Sequence, residues 1–191
     1  TSGSQLQAVG SAYSTGAVGG WCDGLMCRAY IGSTHLQGPT GTTYTPAGSD
    51  FSIEAWIAPY NTSGYQVICG YLNTGSSWDA VLVLWNGVLT VFNPTTYNPG
   101  PAAAAVNPGR LPVHVAVSVS GLTASFFVNG SPCATLAFGG TFSFSAGGTW
   151  WICGSPFVGG SDGTQGLLSD VRVHDVARSA TYWRDRVKEY T

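Results

Sequence analysis

The chain has 191 residues, of which only 7 are basic and 9 acidic, for a net charge of −2. That balance offers no basic surface for nucleic acid, and a hydrophobic share of 44% argues against disorder. No apolar run reaches the roughly 18 residues of a membrane helix, so no membrane insertion is expected.

Polarity is almost all uncharged, with 27 glycines, seven tryptophans and a single lysine, Lys188. Such a composition suits a protein held in an extracellular layer or particle. The chain begins at Thr1 without a methionine or signal peptide, which reads as a piece excised from a longer protein. Residues 1–20 are rich in Gly, Ser and Ala and read as an N-terminal arm or an edge strand. Residues 21–191 read as one domain, a usual size for a single core.

Hydrophobic periodicity is two along most of the chain. Phe51, Ile53, Ala55 and Ile57 share one face, as do Val113, Val115, Val117 and Val119, and then Ala124, Phe126 and Val128. These are expected to be half-buried antiparallel strands with one face toward a core. Further strands are expected at 65–71, 79–85, 87–92, 133–138, 149–153 and 167–173. Asn86-Gly87 and Asn129-Gly130 are strong two-residue hairpin turns. Five prolines between Pro94 and Pro112 exclude a central ladder, so this stretch reads as a surface crossing or lid. Near the C-terminus Ser179 can cap a helix from Ala180, with Trp183, Val187 and Tyr190 on one face. Arg184, Arg186 and Lys188 lie where that helix's dipole favours cations. Many short strands and one terminal helix predict an all-β sandwich.

Four segments carry a family resemblance: DFSIEAWIAPY at 50–60, QVICGYLNTGSSWDAVLVLWNGVLTVFN at 66–93, RLPVHVAVSVSGLTASFFVNGSP at 110–132, and WICGSPFVGG with GLLSDVRVHDVARSATYW at 151–183. In this order they resemble the laminin-G/pentraxin group of the concanavalin-A-like lectin and glucanase superfamily. The tryptophan usual before the third strand is replaced around Leu111–Val113. The resemblance implies a two-sheet antiparallel jelly-roll sandwich with a short C-terminal helix. It also implies roles in adhesion, glycan binding or protein contact, with calcium at a rim loop in some members. Fold alone does not decide among them.

The residues themselves show no catalytic constellation. Glycoside cleavage needs two carboxyls about 5–9 Å apart, yet Glu54 and Glu189 are the only glutamates. Glu54 with Asp170 is a candidate pair from different strands, set against a structural role for Asp170 with Arg172. His35, His114 and His174 lie far apart along the sequence. The five cysteines allow two disulfides with one thiol left over. A four-residue loop can close Cys22–Cys27, whereas Cys69 and Cys153 read equally as buried free thiols. Two sequons, at Asn61 and Asn129, matter only for a protein secreted by a eukaryote.

Among hard-cation ligands, Asp162 in GGSDGTQG and Asp50 are the candidates for calcium, and no other cofactor is expected. For a glycan, the ring of Trp78 with Asn73, Ser76 and Asp79 beside it forms the preferred site, and Tyr97 is a further loop aromatic. The expected function is a non-catalytic recognition module that binds a glycan or a cell-surface protein. Its parent would be a larger surface or virion protein, located outside the cell. Two alternatives stand beside it: a self-associating assembly domain of a capsid, phage or surface appendage, and a polysaccharide-active enzyme.

Overall fold

Alternation at 51–57 becomes strand β3 (Phe51–Pro59), which hydrogen-bonds along its length to β8 (Val113–Ser120). A computed structural model describes residues 27–29, 36–37, 45–75, 77–92, 104–106, 111–154 and 163–189. The arm at 1–20, the Cys22–Cys27 pairing, Ser76, Tyr97, Asp162 and Tyr190 lie outside the described residues. Asn129 and Gly130, both at positive φ (48° and 73°), join β9 (Thr123–Val128) to β10 (Ser131–Ala137). Asn86 and Gly87 (48° and 81°) do the same between β5 (Trp78–Trp85) and β6 (Val88–Phe92). Positive φ at both central residues is the turn whose twist matches its strands.

With β1 (Cys27–Ala29) and β12 (Gly166–His174), these strands build a first antiparallel sheet in the order β1-β12-β3-β8-β9-β10. The second comprises β2 (Leu36–Gln37), β4 (Tyr65–Leu72), β7 (Ala104–Ala105) and β11 (Thr149–Ile152), ordered β2-β11-β4-β5-β6-β7. Within the proline-rich crossing, the described residues include a two-residue strand, β7, at the end of that order. Phe51, Ile53, Ile57, Leu82, Leu84, Val117, Phe126 and Trp150 fill the space between the sheets, all fully buried.

The expectation of half-buried strands needs correction for β3. Every one of its nine residues is buried, on both faces. The cause is helix α1 (Ala180–Lys188), which lies on the outer face of the first sheet and sets Trp183 against Ala116 and Phe127. Ser179 caps it by accepting from the Tyr182 backbone N–H. Gly130 fixes how closely the helix docks. A Cβ there would sit 2.8 Å from the Arg184 Cα and 2.9 Å from the Trp183 carbonyl oxygen. The outer face of the second sheet is apolar too, with Val67, Val81 and Val83 fully buried.

Candidate functional site: a charge cluster, a rim and a groove

Residues two apart on a strand share a face, so Ser52, Glu54 and Trp56 look away from the core while Ile53 and Ala55 enter it. Cross-strand register then places His114 of β8 and His174 of β12 near Glu54. Their Nε2 atoms lie 2.9 and 3.1 Å from the two Glu54 carboxylate oxygens. Arg186 of α1 reaches in from above and donates from Nε to Glu54 at 3.3 Å. Its other nitrogens donate to Asp170 and Glu189.

Asp170 owes its place to a bulge. Asp170 and Val171 together stand opposite Ala55, with Asp170 at φ 49°. A bulge re-aims side chains, and here it turns the carboxylate onto the outer face, where Arg172 Nε also donates to it at 2.7 Å. Burial alone would push the Glu54 carboxyl up. Hydrogen bonds from His114 and His174, with the charges of His114 and Arg186, outweigh that and bring it down to about 2. The candidate pair Glu54 and Asp170 is therefore joined through Arg186 in a closed cluster, and Glu54 is fully buried. This cluster clamps the helix and keeps the Glu54 and Asp170 carboxylates buried beneath it.

The sequence-selected rim behaves differently from a free binding edge. Asn73 and Asp79 do come together, but the Asn73 amide donates to Asp79 at 2.8 Å. The other Asp79 oxygen accepts the Ser145 backbone N–H at 2.6 Å, and Asp79 is buried. Asn73 Oδ1 accepts from the Gly75 and Ser77 N–H groups, an Asx-type loop closure. Trp78 is half-buried, and its ring lies so near Gly70 that a Cβ there would meet it at 2.7 Å. Asp50 accepts from Ser120 Oγ (3.2 Å) and the Gly121 N–H (2.8 Å), tying the start of β3 to the β8–β9 turn. Among the described residues no group of three or more His, Cys, Asp or Glu could hold a metal ion.

A feature not anticipated from sequence lies beside α1. Register aligns Ser52, Ser118, Ser125 and Thr135 in one row across β3, β8, β9 and β10. Ser52 and Ser118 spend their hydroxyls holding the segment before the helix. Ser52 donates to the Val176 carbonyl and accepts the Arg178 N–H, both at 2.8 Å. Ser118 donates to the Arg178 carbonyl at 2.8 Å and accepts Trp183 Nε1–H at 2.9 Å. Beyond them the row is open, floored by Ser125 and Thr135 with Thr123 alongside, and residues 177–180 form a wall. The resulting groove encloses about 570 Å³. The alternating hydroxyls of VSVS and TASFF carried this signal, but only register shows that they meet.

Comparison with solved structures places the sandwich among lectin-like folds. A heptameric SAP-like pentraxin from Limulus polyphemus superposes with a TM-score of 0.65 at 20% identity, over 87% of this chain and 82% of that one. Domain 4 of AbnA, an extracellular arabinanase from Geobacillus stearothermophilus in complex with arabinotriose, gives 0.64 at 15% identity, over 85% and 86%. A Trypanosoma rangeli sialidase bound to sialic acid gives 0.60 at 17% identity, over 86% of this chain but only 27% of that enzyme. The fold is thus shared by binding modules and by parts of glycosidases. No curated protein sequence matches the chain. A laminin-G family model, described as concanavalin A-like lectin/glucanases superfamily, matches residues 32–182, and the chain belongs to that family.

Proposed function

We propose that this domain is a non-catalytic recognition module that binds a glycan on a cell surface, as part of a larger protein that works outside the cell or on a virion. The observation that carries this reading is the commitment of four carboxylates among the described residues. Both oxygens of Glu54, Asp79, Asp170 and Asp50 already accept from partners within the chain. Glycoside cleavage needs one carboxyl free to give a proton and another to attack or activate water. Recognition of hydroxyls needs neither. The pentraxin and the arabinanase domain that the sandwich resembles support a binding role. Calcium at Asp162 belongs to the same proposal and is tested by adding chelator.

A glycan array probed with the labelled domain tests the reading. Selective binding to a few glycans, without turnover of the bound sugar, is the expected result. Trp78→Ala then shows whether the rim ring joins the contact. Release of reducing ends on prolonged incubation would place the domain among the enzymes instead.

A second reading, an assembly domain, is favoured by one feature. Strand β10 is an uncharged, largely exposed strand at the edge of the first sheet. Such an edge can pair with another chain, although Pro132 and the bulge at Cys133 blunt its first half. Concentration-dependent sedimentation of the isolated domain would favour this reading.

A further inference from the structure

The hydroxyl row on the first sheet is divided in use. Its Ser52 and Ser118 half is consumed in docking the helix, whereas the hydroxyls of Thr123, Ser125 and Thr135 make no hydrogen bond within the described residues. We infer that this open half, walled by residues 177–180, is the binding site for a neutral glycan chain. The assignment rests on the glycan-recognition reading above and gives it a location.

Register makes the site. From Ser131 opposite Val128, an unbroken ladder would bring Thr135 opposite Ala124, a core position. The bulge at Cys133 inserts one residue, and Thr135 instead pairs with Ser125 on the outer face. Adjacent strands lie about 4.8 Å apart, so the row presents hydroxyls at that interval on a hydrogen-bonded floor. Because the floor is sheet and the wall is pinned by Ser52 and Ser118, little ordering is left to do on binding.

The chemistry of the lining selects the ligand. Its hydroxyls both donate and accept, as sugar hydroxyls do. Phe127, Pro132 and Ala180 supply apolar surface for the C–H faces of sugar rings. Arg178 is the only charged residue of the lining. Its guanidinium carbon lies 4.6 Å above the Tyr182 ring, and one terminal nitrogen is 3.3 Å from His174 Nδ1. The Arg178 Nε is buried without a hydrogen-bond partner among the described residues, and the other twelve lining residues are uncharged, so hydroxyls and apolar surface make up nearly all that a ligand meets. A volume of about 570 Å³ falls within the roughly 300–1,000 Å³ usual for ligand sites.

The test uses the full 191-residue chain with arabinotriose and an array of neutral and sialylated glycans as probes, followed by titration calorimetry with the strongest neutral binder. Ser125→Ala should weaken binding about three- to tenfold, the loss of one neutral hydrogen bond. Thr135→Arg, at an exposed position, should block it with the thermal midpoint unchanged. Should that variant fold poorly, Thr123→Arg fills the same groove from another exposed position. A neutral glycan that binds these variants as tightly as the parent, or a loss confined to Trp78→Ala, overturns the groove but leaves glycan recognition standing. Binding only of sialylated glycans also overturns it. No glycan bound at all, or a peptide bound in the groove, overturns both.

Discussion

Replacing Glu54 by glutamine tests the charge cluster at its centre. The carboxyl is held at about 2 in the folded chain, against 4.5 when free. At about 1.4 kcal/mol per tenfold change in proton affinity, the ionised carboxylate contributes roughly 3 kcal/mol to folding. Between pH 4.5 and about 2 the unfolded chain takes up a proton at this position and the folded chain does not. The contribution is therefore complete above pH 4.5 and is lost as the pH falls through that window. In Glu54→Gln the window disappears, because no proton is taken up in either state. The variant should also be weaker at neutral pH by about 3–5 kcal/mol, since Arg186 stays buried with a partner removed. Urea unfolding followed by tryptophan fluorescence, stepped from pH 7 to pH 2, measures both effects. Trp183 packs on the rings of His114 and His174 and reports on the site directly. A variant whose stability falls as steeply as the parent's through the window, or that matches it at neutral pH, would refute the reasoning.

Three further outcomes are expected. Gly130→Ala combines a residue at φ 73° with a Cβ 2.8 Å from helix backbone, so it should lower the thermal midpoint by several degrees and loosen α1 in hydrogen exchange. Trp183→Ala removes a fully buried ring and should cost about 3–5 kcal/mol in urea unfolding. Among Cys69, Cys133 and Cys153, a brief treatment of the native protein with a thiol reagent should label only Cys133 when mapped by mass spectrometry. Cys133 is exposed, whereas the other two are buried and burial pushes the Cys69 thiol far up.

Local signals in the sequence predicted the parts of the fold that local chemistry determines. The alternation of Phe51 to Ile57, the Asn-Gly turns and the Ser179 cap each depend on neighbours within a few residues, and each stands where it was expected. The charge cluster depends on register between strands and was not legible in that way. Glu54, His114 and His174 are 60 and 120 residues apart along the chain. Arg186 stands in the helix's C-terminal half where the dipole favours a cation, but its burial over Glu54 and Asp170 follows only from the fold. Asn73 and Asp79 were expected to offer hydrogen bonds beside Trp78, and in the fold they bond to each other. Thr135 shows the limit most clearly. A one-residue bulge decides which face it occupies, and nothing in SPCATLA alone announces that bulge.

The helix also bears on where this domain stops. The family-matched segment ends at residue 182, one position before Trp183, which is wholly enclosed, and four before Arg186. Trimming a gene to the matched segment would delete both anchors and strand the Glu54 carboxylate under open solvent on a face shaped to be roofed. Anyone excising this module for fusion or crystallisation should carry the sequence through at least Glu189, the last residue that Arg186 holds. An ion pair that spans 132 residues thus ties the helix to the sandwich beyond the limits of the family match.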